Sequence, residues 1–148
     1  MTAPPTTATE ATFRASMLAQ ADADALAEVA DECLVTAPAP QVHHGPDVGT
    51  IMLTVREPVE TTRFHLGEVL VTRCQVEHRG VTTWAMRMGD DRASTLAAAV
   101  CDAEVIAGGP AAGTVERLVT ETRRQLDAER AEEWRELEPT IVAFEEMD

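Results

Sequence analysis

The chain has no Lys and no Tyr among its 148 residues. Without Lys, a Gly-rich phosphate loop of the kind that sets a Lys on the β- and γ-phosphates is excluded. Aromatic residues make up only 3%, so a core has to be built from Ala, Val, Leu, Ile and Met. Positive charge is scarce: twelve Arg face 26 Asp and Glu, for a net charge of −14. Nucleic acids and anionic membranes need basic surface, so neither is an expected partner. Cysteine is scarce and odd in number, with Cys33, Cys74 and Cys101 far apart and no Cys-x-x-Cys pair. This excludes a disulfide scaffold and predicts buried thiols in a reducing, cytoplasmic setting. No apolar run reaches spanning length. The opening MTAPPTTATEAT lacks the basic and apolar regions of a signal peptide.

What is present is patterning. Hydrophobic residues at 45% suffice for one packed domain. Residues 1–8 are Ala, Pro and Thr-rich and read as a disordered arm. Thr7-x-x-Glu10 has capping-box spacing and predicts a helix from about Ala8, with Phe13, Met17 and Ala21 on its buried face. Asp22 starts a second helix with Leu26, Val29, Ala30 and Cys33 inward. Residues 36–49 hold three Pro and two Gly and predict a connector, with a short edge strand at Gln41–His44. Thr50–Arg56 alternates as a half-buried strand does.

The stretch Phe64–Val76 is dense in β-branched residues and reads as the longest strand, with Arg73 as a charge among apolar neighbours. His78-Arg79-Gly80 turns the chain into Val81–Met88, which gives an antiparallel meander. Residues 50–88 carry five Arg against four Glu, so the sheet is the one region offering cationic groups. Asp90-Asp91 caps an Ala-rich helix, Arg92–Ile106, which Gly108-Gly109-Pro110 ends. An Ala-Gly link, read as flexible, leads to a long charged helix, Thr114–Leu137. Its apolar stripe is sparse: Val115, Leu118, Leu126 and Leu137. A helix with so little to bury is solvated or docked on a partner. The expected fold class is α+β: N-terminal helices, a central antiparallel meander sheet, an Ala-rich helix packed on it, a long C-terminal helix and a short apolar tail. The expected division is a core at 9–113 and a helical, partner-binding extension at 114–148.

Little in the residues builds a reactive centre. Ser16, Ser94 and the four His (His43, His44, His65, His78) form no nucleophile motif. His43-His44 could ligate a metal, but adjacent residues diverge on a strand and spacing places no third ligand. Asp90-Asp91 is accounted for as a helix cap. Cys74 beside Arg73 could have its thiolate favoured by the cation, yet the two point to opposite faces of one strand. Two classes stay open on this basis: an interaction protein within an assembly, and a stand-alone small-anion-binding or regulatory protein using the cationic strand region.

FHLGEVLVTRCQV at 64–76 and WAMRMGDDRASTLAAAVCDAEV at 84–105 carry a resemblance. Phe64, Gly67, Glu68, Thr72 and Arg73, then Gly89, Asp90, Ala97, Asp102 and Ala103, resemble the core of the PhnG family of the bacterial carbon–phosphorus lyase system. Met17-Leu18-Ala19 and Val142-Ala143-Phe144 with Met147 are similar to the family's ends. The chain departs from the pattern by lacking a Gly-rich segment before Phe64 and by having His65 after it. The resemblance implies a cytoplasmic, non-catalytic or accessory subunit of a multi-subunit complex with PhnH, PhnI, PhnJ and PhnL. That complex would be an α-D-ribose 1-methylphosphonate 5-triphosphate synthase, which uses ATP, releases adenine and transfers ribose 5-triphosphate onto alkylphosphonates. It implies no catalytic residue, metal or cofactor in this chain. Glu68, Thr72, Arg73, Ile141, Val142 and Phe144 are then expected to be partner-binding residues or structural anchors.

Overall fold

Asp22 organises the first helical pair. Its carboxylate accepts hydrogen bonds from the backbone N–H of Asp24 and Ala25 at 3.1 and 3.0 Å, satisfying donors that a helix start leaves free. It thereby separates α1 (Ala8–Gln20) from α2 (Ala23–Val35). The computed structural model of the chain describes residues 8–141. Thr7, of the expected capping box, and the expected anchors Val142 and Phe144 lie outside the described residues. Leu26, Ala30 and Cys33 line the buried side of α2, as the helical period predicts. Of the three positions expected to face inward along α1 and its end, Met17 and Ala21 are buried, but Phe13 is 39% exposed. The helix is rotated so that Arg14 turns inward. Its Nε donates to Asp102 Oδ1 at 2.6 Å, and this pairing is what makes a buried guanidinium tolerable. Phe13 instead lies under the Arg123 guanidinium, 5.7 Å from ring centre to cation.

Three antiparallel strands follow in the order β1-β2-β3: β1 (Gln41–Arg56), β2 (Arg63–His78) and β3 (Val81–Met88). The meander and an edge strand at Gln41–His44 are as expected, but residues 45–49 are not a connector. They continue the edge strand into Ile51–Arg56 as one 16-residue strand. Register shifts between Val42 and Asp47 absorb the Gly45-Pro46 step as a bulge. β1 is an edge strand, where the N–H that Pro lacks is not needed. Gly45 has φ +74°, and a Cβ there would lie 2.5 Å from the Arg73 carbonyl oxygen, so only Gly fits.

The helical layer covers one face of the sheet. Thr72, Cys74, Val76 and His78 of β2 and Thr83 of β3 are buried beneath it. α3 (Arg92–Ala107), capped by the Asp91 side chain on Ser94 N–H, lies directly on this face. Its alanines allow close approach: Ala98, Ala99 and Ala103 are almost completely buried. Hydrogen bonds pin helix to sheet, among them Thr83 Oγ1 to the Ala99 carbonyl at 2.8 Å and Cys74 Sγ to the Thr95 carbonyl at 3.3 Å. Arg87 donates to the Leu18 and Ala21 carbonyls at 2.6 and 2.8 Å, which ties β3 to the open end of α1.

α4 (Ala112–Leu137) begins sooner than expected, because Ala111 is buried and the Ala-Gly stretch is helical rather than a flexible link. Its first half buries Val115, Val119 and Thr122. Beyond Leu126 every described residue of the helix is exposed. That distal half is supported by ion pairs along its own surface, Arg123–Asp127, Arg130–Asp127 and Arg135–Glu132. Pairs of this kind contribute about 0.3–0.5 kcal/mol each.

Candidate docking surface

The face of the sheet opposite the helices has no cover among the described residues. β1 and β2 also run on past the helical layer as a two-stranded arm. Arg56 faces Arg63 near its tip, and Gly49 faces Val71 at its root. The tip turn is held by the Glu57 carboxylate, which accepts from Val59 and Glu60 N–H, and by Glu57 N–H on the Thr62 carbonyl at 3.0 Å. A ribbon two strands wide is marginal alone in water. This one is continuous with a three-stranded, helix-backed sheet, which fixes its register.

Alternation along the strands separates two kinds of surface. Ile51, Leu53, Val55, Phe64, Val69 and Val71 fall on the uncovered face, and the pairing of β2 with β3 extends it to Met86, Met88 and Trp84. Trp84 is 64% exposed and Met88 76%. Single exposed apolar residues are ordinary, but a contiguous set of this size marks a binding surface.

Arg73 stands at the root of this face, exposed, with its Nη2 3.3 Å from His44 Nε2. A cavity of about 190 Å³ lies beside it, bounded by His44, Cys74, Gln75 and Trp84. Glu68 is exposed on the arm, opposite Met52. Thr72 is fully buried on the helix side, where its hydroxyl donates to the Gly89 carbonyl at 2.8 Å and closes the β3–α3 turn onto β2. Ile141 is 62% exposed, at the end of the described chain. The structure therefore sets Glu68, Thr72 and Arg73 along one strand, Arg73 on the uncovered face and Glu68 and Thr72 on the other, with Thr72 buried and Ile141 placed at the end of the described chain.

The histidines do not converge. His43 meets Glu77 at 3.1 Å, His44 meets Asp47 at 3.5 Å, and His65 meets Thr54 at 3.0 Å. Among the described residues no three His, Cys, Asp or Glu side chains gather as a metal site would require. The three thiols are buried. Burial pushes the Cys74 thiol up from its ordinary value, against a backbone hydrogen bond with Ala85. A reactive Cys has its thiolate favoured instead.

One cluster has no counterpart in the sequence patterning. Glu104 is fully buried. It accepts from His78 Nε2 at 2.7 Å, Arg79 Nε at 2.6 Å and the Ala111 N–H at 3.0 Å. Arg79 Nη2 in turn donates to Thr36 Oγ1 at 2.7 Å. One carboxylate thus joins the end of α3, the β2–β3 turn, the end of α2 and the start of α4. Burial pushes the Glu104 carboxyl up, but hydrogen bonds from Arg79, Ala111 and His78 outweigh it and hold it below the usual carboxylate range. His78 and Glu104 have no solvent-exposed side-chain surface, so no substrate reaches the pair and its work is structural. The one signal in the sequence is the Gly108-Gly109 step. A Cβ at Gly109 would fall 2.1 Å from Glu104 Oε1. Gly109→Ala is therefore expected to lower stability by about 1–3 kcal/mol through crowding. A lower urea midpoint at unchanged m-value would register it.

The sheet offers a wide apolar face with exposed cations at Arg56, Arg63 and Arg73, and among the described residues no nucleophile, base and orienting group stand together. No helix among the described residues is long and apolar enough to cross a membrane. None of the curated proteins matches the sequence closely enough to compare. A family model described as "Phosphonate metabolism protein PhnG" matches residues 12–148, which is nearly the whole chain. On that match the chain belongs to the PhnG family of phosphonate metabolism proteins.

Proposed function

We propose that the chain is an accessory subunit of a carbon–phosphorus lyase core complex. In this reading it contributes to α-D-ribose 1-methylphosphonate 5-triphosphate synthesis without an active site of its own. The observation carrying this is the uncovered apolar sheet face with its projecting arm, beside which no reactive constellation stands among the described residues. Family membership supports a role in phosphonate metabolism. The ATP and alkylphosphonate chemistry then belongs to companion subunits of the PhnH, PhnI, PhnJ and PhnL kinds, and this chain completes or orients their assembly. The exposed distal half of α4 and the residues after Thr140 serve as a second contact, in keeping with the 62% exposure of Ile141.

The test is co-expression with those companions, followed by ATP- and alkylphosphonate-dependent adenine release. Release is expected with the full chain and lost when the chain is omitted. A chain ending at Leu137 is expected to keep its melting temperature but to drop out of the complex. Adenine release at full rate without this chain would refute the assignment, and assembly of the shortened chain would remove the role of the tail.

A further inference from the structure

The arm is open on both faces, and the two faces differ. One is the apolar surface of Ile51, Leu53, Val55 and Phe64. The other carries the cross-strand pairs Met52–Glu68, Thr54–His65 and Arg56–Arg63. Like charges directly opposite one another weaken a strand pair. Neither Arg56 nor Arg63 makes an ion pair among the described residues, and neither does Arg73. The acids are elsewhere: residues 41–88 hold five Arg against Asp47, Glu57, Glu60, Glu68 and Glu77, so the sheet has no net charge and the −14 resides outside it.

We propose that the arm, residues 49–71, lodges in a cleft of another protein. The cleft is apolar where it meets Ile51, Leu53, Val55 and Phe64. It carries carboxylates where it meets Arg56 and Arg63, with a further carboxylate for Arg73 at the arm's root. The inference rests on the subunit reading and names the surface and the chemistry of the contact. Charge complementarity selects the occupant. A second copy of this chain stacked on the apolar face would leave Arg56 and Arg63 on the outside of both arms, still without carboxylates. It would also join two chains of charge −14. A free phosphate would answer the arginines and leave the apolar face in water. A cleft that encloses the arm satisfies both faces at once.

The test uses the full chain co-expressed with the companion subunits. Phe64→Asp, and separately the double change Arg56→Glu/Arg63→Glu, are each expected to cut co-purification at least ~10-fold, the scale of effect of altering a side chain at the centre of an interface. Asp31→Arg on the exposed side of α2 is expected to leave it unchanged. All the altered side chains are exposed, and melting curves confirm folding. If the unaltered chain co-purifies and every variant does so equally well, the arm claim is overturned while the subunit reading stands. If the unaltered chain fails to co-purify, the subunit reading falls and the arm claim falls with it. A dimer of the isolated chain that Phe64→Asp converts to monomer would make a second copy the occupant and overturn the proposal. So would a melting temperature raised by inorganic phosphate in the unaltered chain but not in the double variant.

Discussion

Glu104→Ala is expected to destabilise the fold by about 3–5 kcal/mol, the usual consequence of removing one partner from a buried charged set. The change strips Arg79 and His78 of their acceptor and leaves the Ala111 N–H without its bond. Four segments are then no longer tied together, so the effect should appear as one cooperative transition at a lower urea midpoint rather than as local fraying. Glu104→Gln keeps the shape and part of the hydrogen bonding but not the charge, and is expected to fall between the two.

The pH dependence has a definite sign. The folded carboxyl titrates below its ordinary value of 4.5, so its contribution is complete above that value and is lost as pH falls through the lower, folded value. The stability gap between the natural chain and Glu104→Gln should therefore be constant at neutral pH and close in acid below about pH 4.5. A gap that instead widened in acid would mean that the carboxyl is held protonated in the native state.

Leu18→Ala is expected to cost about 2–5 kcal/mol, whereas Phe13→Ala should cost about 1 kcal/mol or less. The two residues share one helix, and the aromatic side chain is the larger. Only Leu18 is enclosed, at 1% exposure against 39%. Helix α1 has 13 residues and is too short to hold itself, so its packing against α3 and β3 decides its stability. Chemical denaturation of both variants would settle the order. Equal effects would place Phe13 in the core and undo the rotation that buries Arg14.

The reason for that rotation explains much of what stays hidden in the sequence. Periodicity marks α1, α2 and α3 well, because their apolar residues recur at helical spacing. It does not register that an Arg is more buried than a Phe. Arg14 is held inside by Asp102, 88 positions away, and no local pattern records such a pairing. The same holds for Glu104, whose hydrogen-bond donors come from separate elements. β1 reads as two pieces in sequence because Gly45-Pro46 resembles a connector. An edge strand accommodates that step as a bulge, and edge position is itself a tertiary fact. For the surface, Arg73 is readable as a charge on an apolar strand, and its exposure follows from strand alternation. The apolar arm is less readable: Ile51, Leu53, Val55 and Phe64 look like core residues in sequence. Only the absence of a third layer among the described residues reveals them as surface.

The neutrality of the sheet also has an electrokinetic consequence. With charge cancelling across residues 41–88, and −5 on residues 8–40 and −6 on residues 89–141, the described molecule is strongly polarised between its two layers. Near any cationic surface it should turn its helices toward that surface and leave the sheet outermost. On an anion-exchange resin, the adsorbed chain would thus present its arm to solvent, still free to be probed.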